Sequence, residues 1–320
     1  MPRIAVVGVA VDDYIRRADG KVIRSLGGIA YSVSVMAALT GPDAEVLPVC
    51  RVAHAQRDRL LDEWSVFSNV SDLGLVPWAG PASQVTLEYR GGGRIGGDRE
   101  ERLLYPTPPL AAHEIDVALA ADAILLNCVT GAVLTGGALQ RLAASRTPVH
   151  LDVHSLILGR TASGVRYPER PADWRCWIDV ADTLQCNEQE ATVLAEPTAS
   201  DGARSDAVGR FVRSTLARPT GPDTVVITRG AEGVDLFEGE APGVRVAAPQ
   251  VEIVDPTGAG DAFGAAFVVE RVGGADAASA ARAAVRAASA ACLLSGTAAI
   301  ASLPATIASL RNPDVKRAVS

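Results

Sequence analysis

The sequence predicts an α/β protein built on a mostly parallel, doubly wound sheet, and three observations carry that reading. From about residue 113 helix-like and strand-like stretches alternate: helix 113–121, strand Ala123–Asn127, helix 133–144 and strand Val149–Val153. Such alternation implies right-handed crossovers between parallel strands. Arg3–Val9 is an apolar run too short for a helix and suited to a strand buried on both faces. Finally, Val254-Asp255-Pro256-Thr257-Gly258-Ala259-Gly260-Asp261 is a tight turn. The small apolar run Ala262–Val268 follows it with Phe263, Ala266 and Phe267 at helical spacing.

The whole chain bounds this further. Its 320 residues suffice for one large α/β domain or a domain with a small appendage, and 48% apolar with 21% charged residues is ordinary for a globular protein. A net charge of −7 argues against nucleic acid or an anionic membrane surface as the main partner. Cys50, Cys128, Cys176, Cys186 and Cys292 are scattered, odd in number and without a Cys-x-x-Cys pair, which predicts reduced thiols and a cytoplasmic location. The chain opens directly into a strand, without a basic-then-apolar leader, and has no apolar run of the roughly 18 residues a membrane helix needs.

In order along the chain, Asp12 and Asp13 follow the first strand, at the sheet edge where open α/β sheets bind ligands. Ala18-Asp19-Gly20-Lys21 reads as a hairpin turn between two short runs. Gly27-Gly28 opens a helix running to about Leu39, stopped by Thr40-Gly41-Pro42. Glu45–Val49 reads as a strand, His54–Trp64 as a helix and Gln84–Tyr89 as an alternating strand. Gly91–Gly97 formally matches Gly-x-Gly-x-x-Gly, but the charged run Asp98–Arg102 after it cannot open an apolar helix, so a hairpin tip is the better reading.

On the strand at 149–153, His150, Asp152 and His154 share a face, which invites a metal-site reading. Strand-end polar groups are more often hydrogen-bonding residues, and a third ligand of suitable geometry is needed. Residues 159–178 read as a solvated surface excursion, in which Arg160, Arg166 and Arg170 could meet an anionic group; the sequence offers no account of Trp174 and Trp177. Thr183–Cys186 ends a strand and Asn187 with Glu190 forms a capping-box pattern. Asp223–Thr228 is a strand, Thr228-Arg229-Gly230-Ala231-Glu232-Gly233 a turn, and Gly233–Phe237 and Val244–Ala247 antiparallel edge strands. Residues 276–294 form an alanine-rich helix with Arg282 and Arg286 on an exposed face, and a short helix and frayed end follow.

The turn at 256–261 sits on a helix N-terminus, where unpartnered N–H groups and the dipole favour an anion. Glycines at 258 and 260 let main chain approach a phosphate, and Asp261 places a carboxylate beside it. That carboxylate either takes a proton from an attacking hydroxyl or simply caps the helix; local chemistry leaves both open.

Asp-Pro-Thr-Gly-Ala-Gly-Asp followed by a small-residue helix closely resembles the second signature of the ribokinase-like (PfkB-type) carbohydrate kinases. The resemblance implies a three-layer α/β/α sandwich with a mostly parallel sheet, as a single domain over residues 1–320, and a small β lid from about 14–25 and 83–105. It implies Asp261 as catalytic base and the backbone of Gly258, Ala259 and Gly260 as an anion hole. Asp13, Gly27 and Gly28 then match acceptor-binding positions, with Asp152 at a cleft-lining strand end. Asn187 and Glu190 match the residues that organise Mg2+ and phosphates through water, and Thr228 and Gly230 the nucleotide-phosphate loop. Asp255 matches a position that binds a monovalent cation in some relatives, and residues 276–294 a segment flanking adenine.

The implied activity is transfer of the γ-phosphate of ATP, with Mg2+ and in some relatives K+, to an alcohol of a sugar, nucleoside or cyclitol. Lid strands of relatives often pair between subunits, which raises a homodimer. The chain departs from the family at Ile29, where ribokinases carry Lys, at Ser32, where Asn is common, and at Val11, where ribose binders are polar. Ribose itself is therefore disfavoured. A silent sugar- or nucleoside-binding regulator is the alternative, opposed by the intact Asp261 turn. The chain has no Gly-x-x-x-x-Gly-Lys-Ser/Thr motif, against a P-loop enzyme, and no glycine fingerprint after the first strand, against a dehydrogenase.

Overall fold

A computed structural model describes residues 1–16, 22–89, 99–195 and 207–310. The turn expected at 18–21, the glycine-rich tip at 91–97 and the last ten residues of the tail lie outside the described residues.

The strands are β1 (Arg3–Val7), β2 (Ala10–Arg16), β3 (Val22–Gly28), β4 (Glu45–Ala53), β5 (Leu75–Trp78), β6 (Ser83–Tyr89), β7 (Arg99–Leu104), β8 (Ala123–Asn127), β9 (Val149–Asp152), β10 (Leu158–Arg160), β11 (Arg166–Pro168), β12 (Thr183–Asn187), β13 (Thr224–Thr228), β14 (Val234–Glu238) and β15 (Val244–Val246). The helices are α1 (Ile29–Thr40), α2 (His54–Trp64), α3 (Asp116–Leu119), α4 (Gly136–Ala143), α5 (Trp174–Ile178), α6 (Glu188–Leu194), α7 (Ala207–Leu216), α8 (Ala259–Val272), α9 (Ala277–Ala291) and α10 (Leu303–Leu310).

Nine strands form the central sheet in the order β15-β14-β13-β12-β9-β8-β1-β4-β5, parallel except at β14 and β15. Alternation along each strand assigns its two faces. Ile4, Val6 and Leu125 pack with Val33, Met36, Ala262 and Ala265 of α1 and α8. Ala5, Val7, Ile124 and Leu126 pack instead with Leu139, Trp177 and Phe211 of α4, α5 and α7. Helices therefore cover both faces, which is why the inner strands are apolar throughout. Alanines on α8 and α9 let those helices lie closely together, with Phe263 and Phe267 stacked beneath at 5.9 Å.

The segments expected as a lid form their own four-stranded sheet, β3-β2-β6-β7. Asp12 and Asp13, which follow β1, belong to β2 of this sheet. Gly27 and Gly28 likewise end β3, and the helix begins only at Ile29.

Several boundaries differ from expectation for local reasons. The helix at 113–121 begins as a 3-10 turn over Ala112–Ile115, and that at 133–144 starts at Gly136 because Thr135 Oγ1 accepts from Ala138 N at 3.3 Å. The strand at 149 stops at Asp152, since His154 turns to φ 41° and opens a 3-10 turn. Residues 159–178 do run along the surface, with 160–163 and 167–170 exposed, but they carry regular structure. β10 and β11 pair there, and a bridge from Arg102 to Val165 ties them to β7. Trp174 and Trp177 of α5 are core residues, 5% and 1% exposed. Arg166 is buried too, its guanidinium donating to the carbonyls of Thr130, Ser155 and Leu158.

Candidate active site

The C-terminal ends of β8, β9, β12 and β13 lie side by side, with Asn127 opposite Asp152 and Asn187 opposite Thr228 in the parallel registers. The first turn of α8 sits over this edge. Gly258 has φ 75°, and a Cβ there would lie 2.6 Å from the Tyr31 ring, so only glycine lets the turn close over α1. Pro256 O accepts from Ala259 N at 3.2 Å, and no side chain caps the helix. The N-cap position is Gly258, and Asp261 stands in the first helical turn beyond it.

Asp261 is partly buried, and its Oδ1 accepts from Asn127 Nδ2 at 2.6 Å and Ser32 Oγ at 3.3 Å. Burial pushes its carboxyl pKa up, while His154 and the two donors pull it back. Asp13 is also pushed up, to about 7, by burial and then by the charges of Asp261 and Glu101. Its carboxylate lies against bare main chain: a Cβ on Gly27 would be 1.8 Å from Asp13 Oδ2. Neighbouring Asp12 faces the other way, held by Gln56 at 3.0 Å and Arg59 at 3.0 Å, as alternation along a strand requires.

Asp152 is pushed up to about 8 by burial, with Asp261 and Glu190 adding to the rise and His154 opposing it. His154 experiences the opposite balance. Burial lowers its pKa, but Asp152, Asp261, Glu190 and Glu101 together hold it above the usual imidazole value. Carboxylates from β2, β7, β9, α6 and α8 thus share one electrostatic environment with a single imidazole, a clustering of perturbed groups frequent at functional sites.

The capping box at Asn187 is complete. Asn187 Oδ1 accepts from Glu190 N at 2.9 Å, and both Glu190 oxygens accept from Asn187, N at 2.8 Å and Nδ2 at 2.7 Å. Thr228 and Gly230 border the next turn, where Arg229 bonds Asp235 at 2.6 Å and also pairs with Glu188. Asp235 in turn binds Arg245 at 2.7 and 3.0 Å. Beside this turn a cleft of about 490 Å3 opens between residues 244–249 and Arg282 and Arg286 of α9. Arg286 is half-buried, not exposed as expected. Asp255 accepts from Thr257 N at 2.9 Å.

The shared-face metal reading fails: His154 has left the strand, and His150 is 4% exposed and bonded to Gln185 at 2.9 Å. Among the described residues no group of three His, Cys, Asp or Glu could hold a metal ion by itself. A Mg2+ that keeps several waters and is completed by substrate phosphates needs only one or two protein carboxylates; at this edge Glu190 offers two oxygens, each accepting one bond from Asn187.

Sequence reasoning missed Asn127, and it treated Ser32 only as a departure from a family pattern. The available signal was a lone amide closing the apolar strand Ala-Ile-Leu-Leu-Asn. Gln185 stood out less, since β12 (Thr-Leu-Gln-Cys-Asn) alternates polar and apolar residues.

This architecture is the ribokinase fold. The structure of Arabidopsis thaliana ribokinase complexed with ribose and ATP superposes with a TM-score of 0.70 at 21% identity, covering 97% of this chain and 99% of that one. A pyrophosphate-dependent kinase of the ribokinase family, complexed with a pyrophosphate analog and myo-inositol, gives 0.74 at 17% identity over 94% and 99% of the two chains. Residues 164–305 match the profile of the pfkB family carbohydrate kinases, so the resemblance drawn from the motifs holds. The bifunctional protein HldE of Caulobacter vibrioides is 28% identical over 179 residues, 55% of this chain but 33% of HldE; the match spans only that third of the curated relative.

Proposed function

We propose that the protein is a small-molecule kinase that moves the γ-phosphate of ATP to an alcohol group of a sugar, nucleoside or cyclitol. The observation that carries this is Asp261: a carboxylate in the first turn of an uncapped helix, held by Asn127 and Ser32 through one oxygen and raised in pKa by burial. Holding one oxygen leaves the other to accept a proton, and a base of raised pKa suits that task.

In this reading Asp13 and the Gly27-Gly28 main chain hold the acceptor hydroxyls, with Asp152 lining the cleft. Asp261 takes the proton as the hydroxyl oxygen attacks the γ-phosphorus, and the bond to the β-phosphate oxygen breaks to release ADP. Main-chain N–H groups of Gly258, Ala259 and Gly260 stabilise the charge on the transferring group. Asn187, Thr228 and Gly230 take the donor phosphates, and the adenosine end lies in the cleft beside Arg282 and Arg286. Glu190 would hold Mg2+ through water, and the ion would supply charge neutralisation on the phosphates. A monovalent cation at Asp255 is part of the same reading, and exchanging K+ for Na+ in the assay tests it.

His154 belongs to this machinery as the one imidazole among the carboxylates, offsetting charge that would otherwise repel the donor. The four strands of the smaller sheet then act as a lid that excludes water, and pairing of their edges between two copies gives a homodimer. The test is ADP release from Mg-ATP across a panel of sugars, nucleosides and cyclitols, with pyrophosphate run in parallel as donor. Alcohol-dependent ADP release supports the reading, whereas binding of an alcohol without release of ADP supports the silent regulator.

A further inference from the structure

Two buried polar residues on neighbouring strands have no place in the reaction just described. Gln185 of β12 is 2% exposed and His150 of β9 is 4% exposed. They lie on the sheet face that packs under α8, where the His150 ring stands 5.3 Å from that of Phe267. Burying an amide and an imidazole in such surroundings is costly unless both are hydrogen-bonded.

Their bonds form a chain that ends on the turn. Gln185 Nε2 donates to the carbonyl of Gly260 at 3.0 Å, which fixes the orientation of its amide. Gln185 Oε1 therefore faces His150 Nε2, 2.9 Å away, and that ring nitrogen carries the proton. Burial lowers the His150 pKa to about 4, so the ring is neutral at ordinary pH. A second contact keys the same side chain to α8. A Cβ on Gly264 would lie 2.9 Å from Gln185 Oε1 and 3.6 Å from His150 Nε2, so the missing side chain makes room for the pair.

We infer that Gln185, seated by His150, is a positioning residue that sets the first turn of α8 and with it the anion-binding main chain and Asp261. The inference rests on the kinase reading for its functional consequence. The Gly260 carbonyl shares a peptide plane with the Asp261 N–H, so a donor that fixes one fixes the other. Helix starts fray, and this one lacks a side-chain cap. The strut from the sheet supplies the restraint a cap would otherwise give. Small misplacement at such a turn is expensive, since about 1 Å can cost on the order of 10²-fold in rate.

The test uses Gln185→Leu and Gln185→Glu in the full chain, with Mg-ATP and an alcohol that the wild type phosphorylates. Q185L is expected to lower kcat by about ten- to a hundredfold while KM for ATP and for the alcohol stays within about twofold. Q185E keeps an acceptor toward His150 but presents an oxygen to the Gly260 carbonyl; only its protonated form can donate there. Its kcat relative to wild type is expected to rise as the pH falls, which a merely structural role would not produce.

Amide hydrogen exchange supplies a readout that needs no substrate: exchange at residues 258–262 quickens in Q185L while exchange in β8 and β12 is unchanged. A wild type that phosphorylates no alcohol defeats the kinase reading, and exchange alone then decides this inference. Unchanged exchange at 258–262, or wild-type kcat in Q185L, overturns it. Where Q185L does not fold, Q185E carries the same readouts.

Discussion

Asn127 Nδ2 donates to Asp261 Oδ1 at 2.6 Å, joining the last residue of a central parallel strand to the first turn of a helix 134 positions further along the chain. The bond stabilises the charged carboxylate and selects which of its oxygens stays available. Asn127 itself is fully buried, with Oδ1 lacking a partner among the described residues, so it is held there at some cost. Replacing Asn127 by Leu removes a donor that lowers the Asp261 pKa. The acid limb of kcat/KM then moves to higher pH, with a loss of about tenfold or more near neutrality. An unshifted limb in a pH–rate profile would mean that Asp261 does not titrate in catalysis.

The carboxylate cluster makes a prediction about stability and pH. Asp13 and Asp152 are raised from 3.8 to about 7 and about 8, so between those limits the folded protein binds more protons than the unfolded chain. Stability therefore falls as pH rises through that window. His154, also raised, adds in the same direction: its contribution is present below its unfolded pKa and is lost as pH rises through its folded one. Melting temperatures of the ligand-free protein should decline from weakly acid to weakly alkaline pH, and Asp152→Asn should flatten that decline. A melting profile that rises across the same range contradicts the cluster.

Trp177 is 1% exposed in the layer between α5, α4 and α7. Trp177→Ala should cost about 3–5 kcal/mol of stability through lost burial and a residual cavity. Denaturant titration checks this, with the midpoint falling at unchanged slope. A loss below about 1 kcal/mol would fit a surface loop and not the core.

Asp235 holds Arg229 of the Thr228–Gly233 turn and Arg245 of β15 at once. Replacing it with Ala removes the carboxylate the two guanidiniums share and, among the described residues, leaves Arg229 only Glu188 and Arg245 only Glu232, so the turn loosens. The expected outcome is a higher KM for ATP with kcat less affected, measured by steady-state kinetics at saturating alcohol. Equal KM values for variant and wild type would detach the network from donor binding.

Much of this architecture was legible because a buried parallel strand is written in a few consecutive apolar residues, as in Ile4–Val7 and Ala123–Asn127. The turn at 256–261 was legible because bare main chain at a helix start requires glycine and leaves a mark in the sequence. What escaped notice depends on contacts between segments far apart in the chain. Nothing local to Arg166 announces that its guanidinium will satisfy three carbonyls, nor that the hairpin around it will pair with β7. His154 appeared to continue a strand because alternation alone does not reveal a backbone reversal at φ 41°. Asn127 carried a faint signal, a single polar residue closing an apolar strand, and Gln185 a fainter one in the alternating β12; the meaning of both depends on what lies above the sheet.

The account turns on Asp261 as the group that takes the acceptor proton, and Asp261→Asn tests this most directly. Steady-state ADP release should fall by about 10²- to 10⁴-fold, while ATP affinity measured by calorimetry stays nearly unchanged. Turnover close to wild type in that variant would contradict the assignment of the base and, with it, the reading of this site.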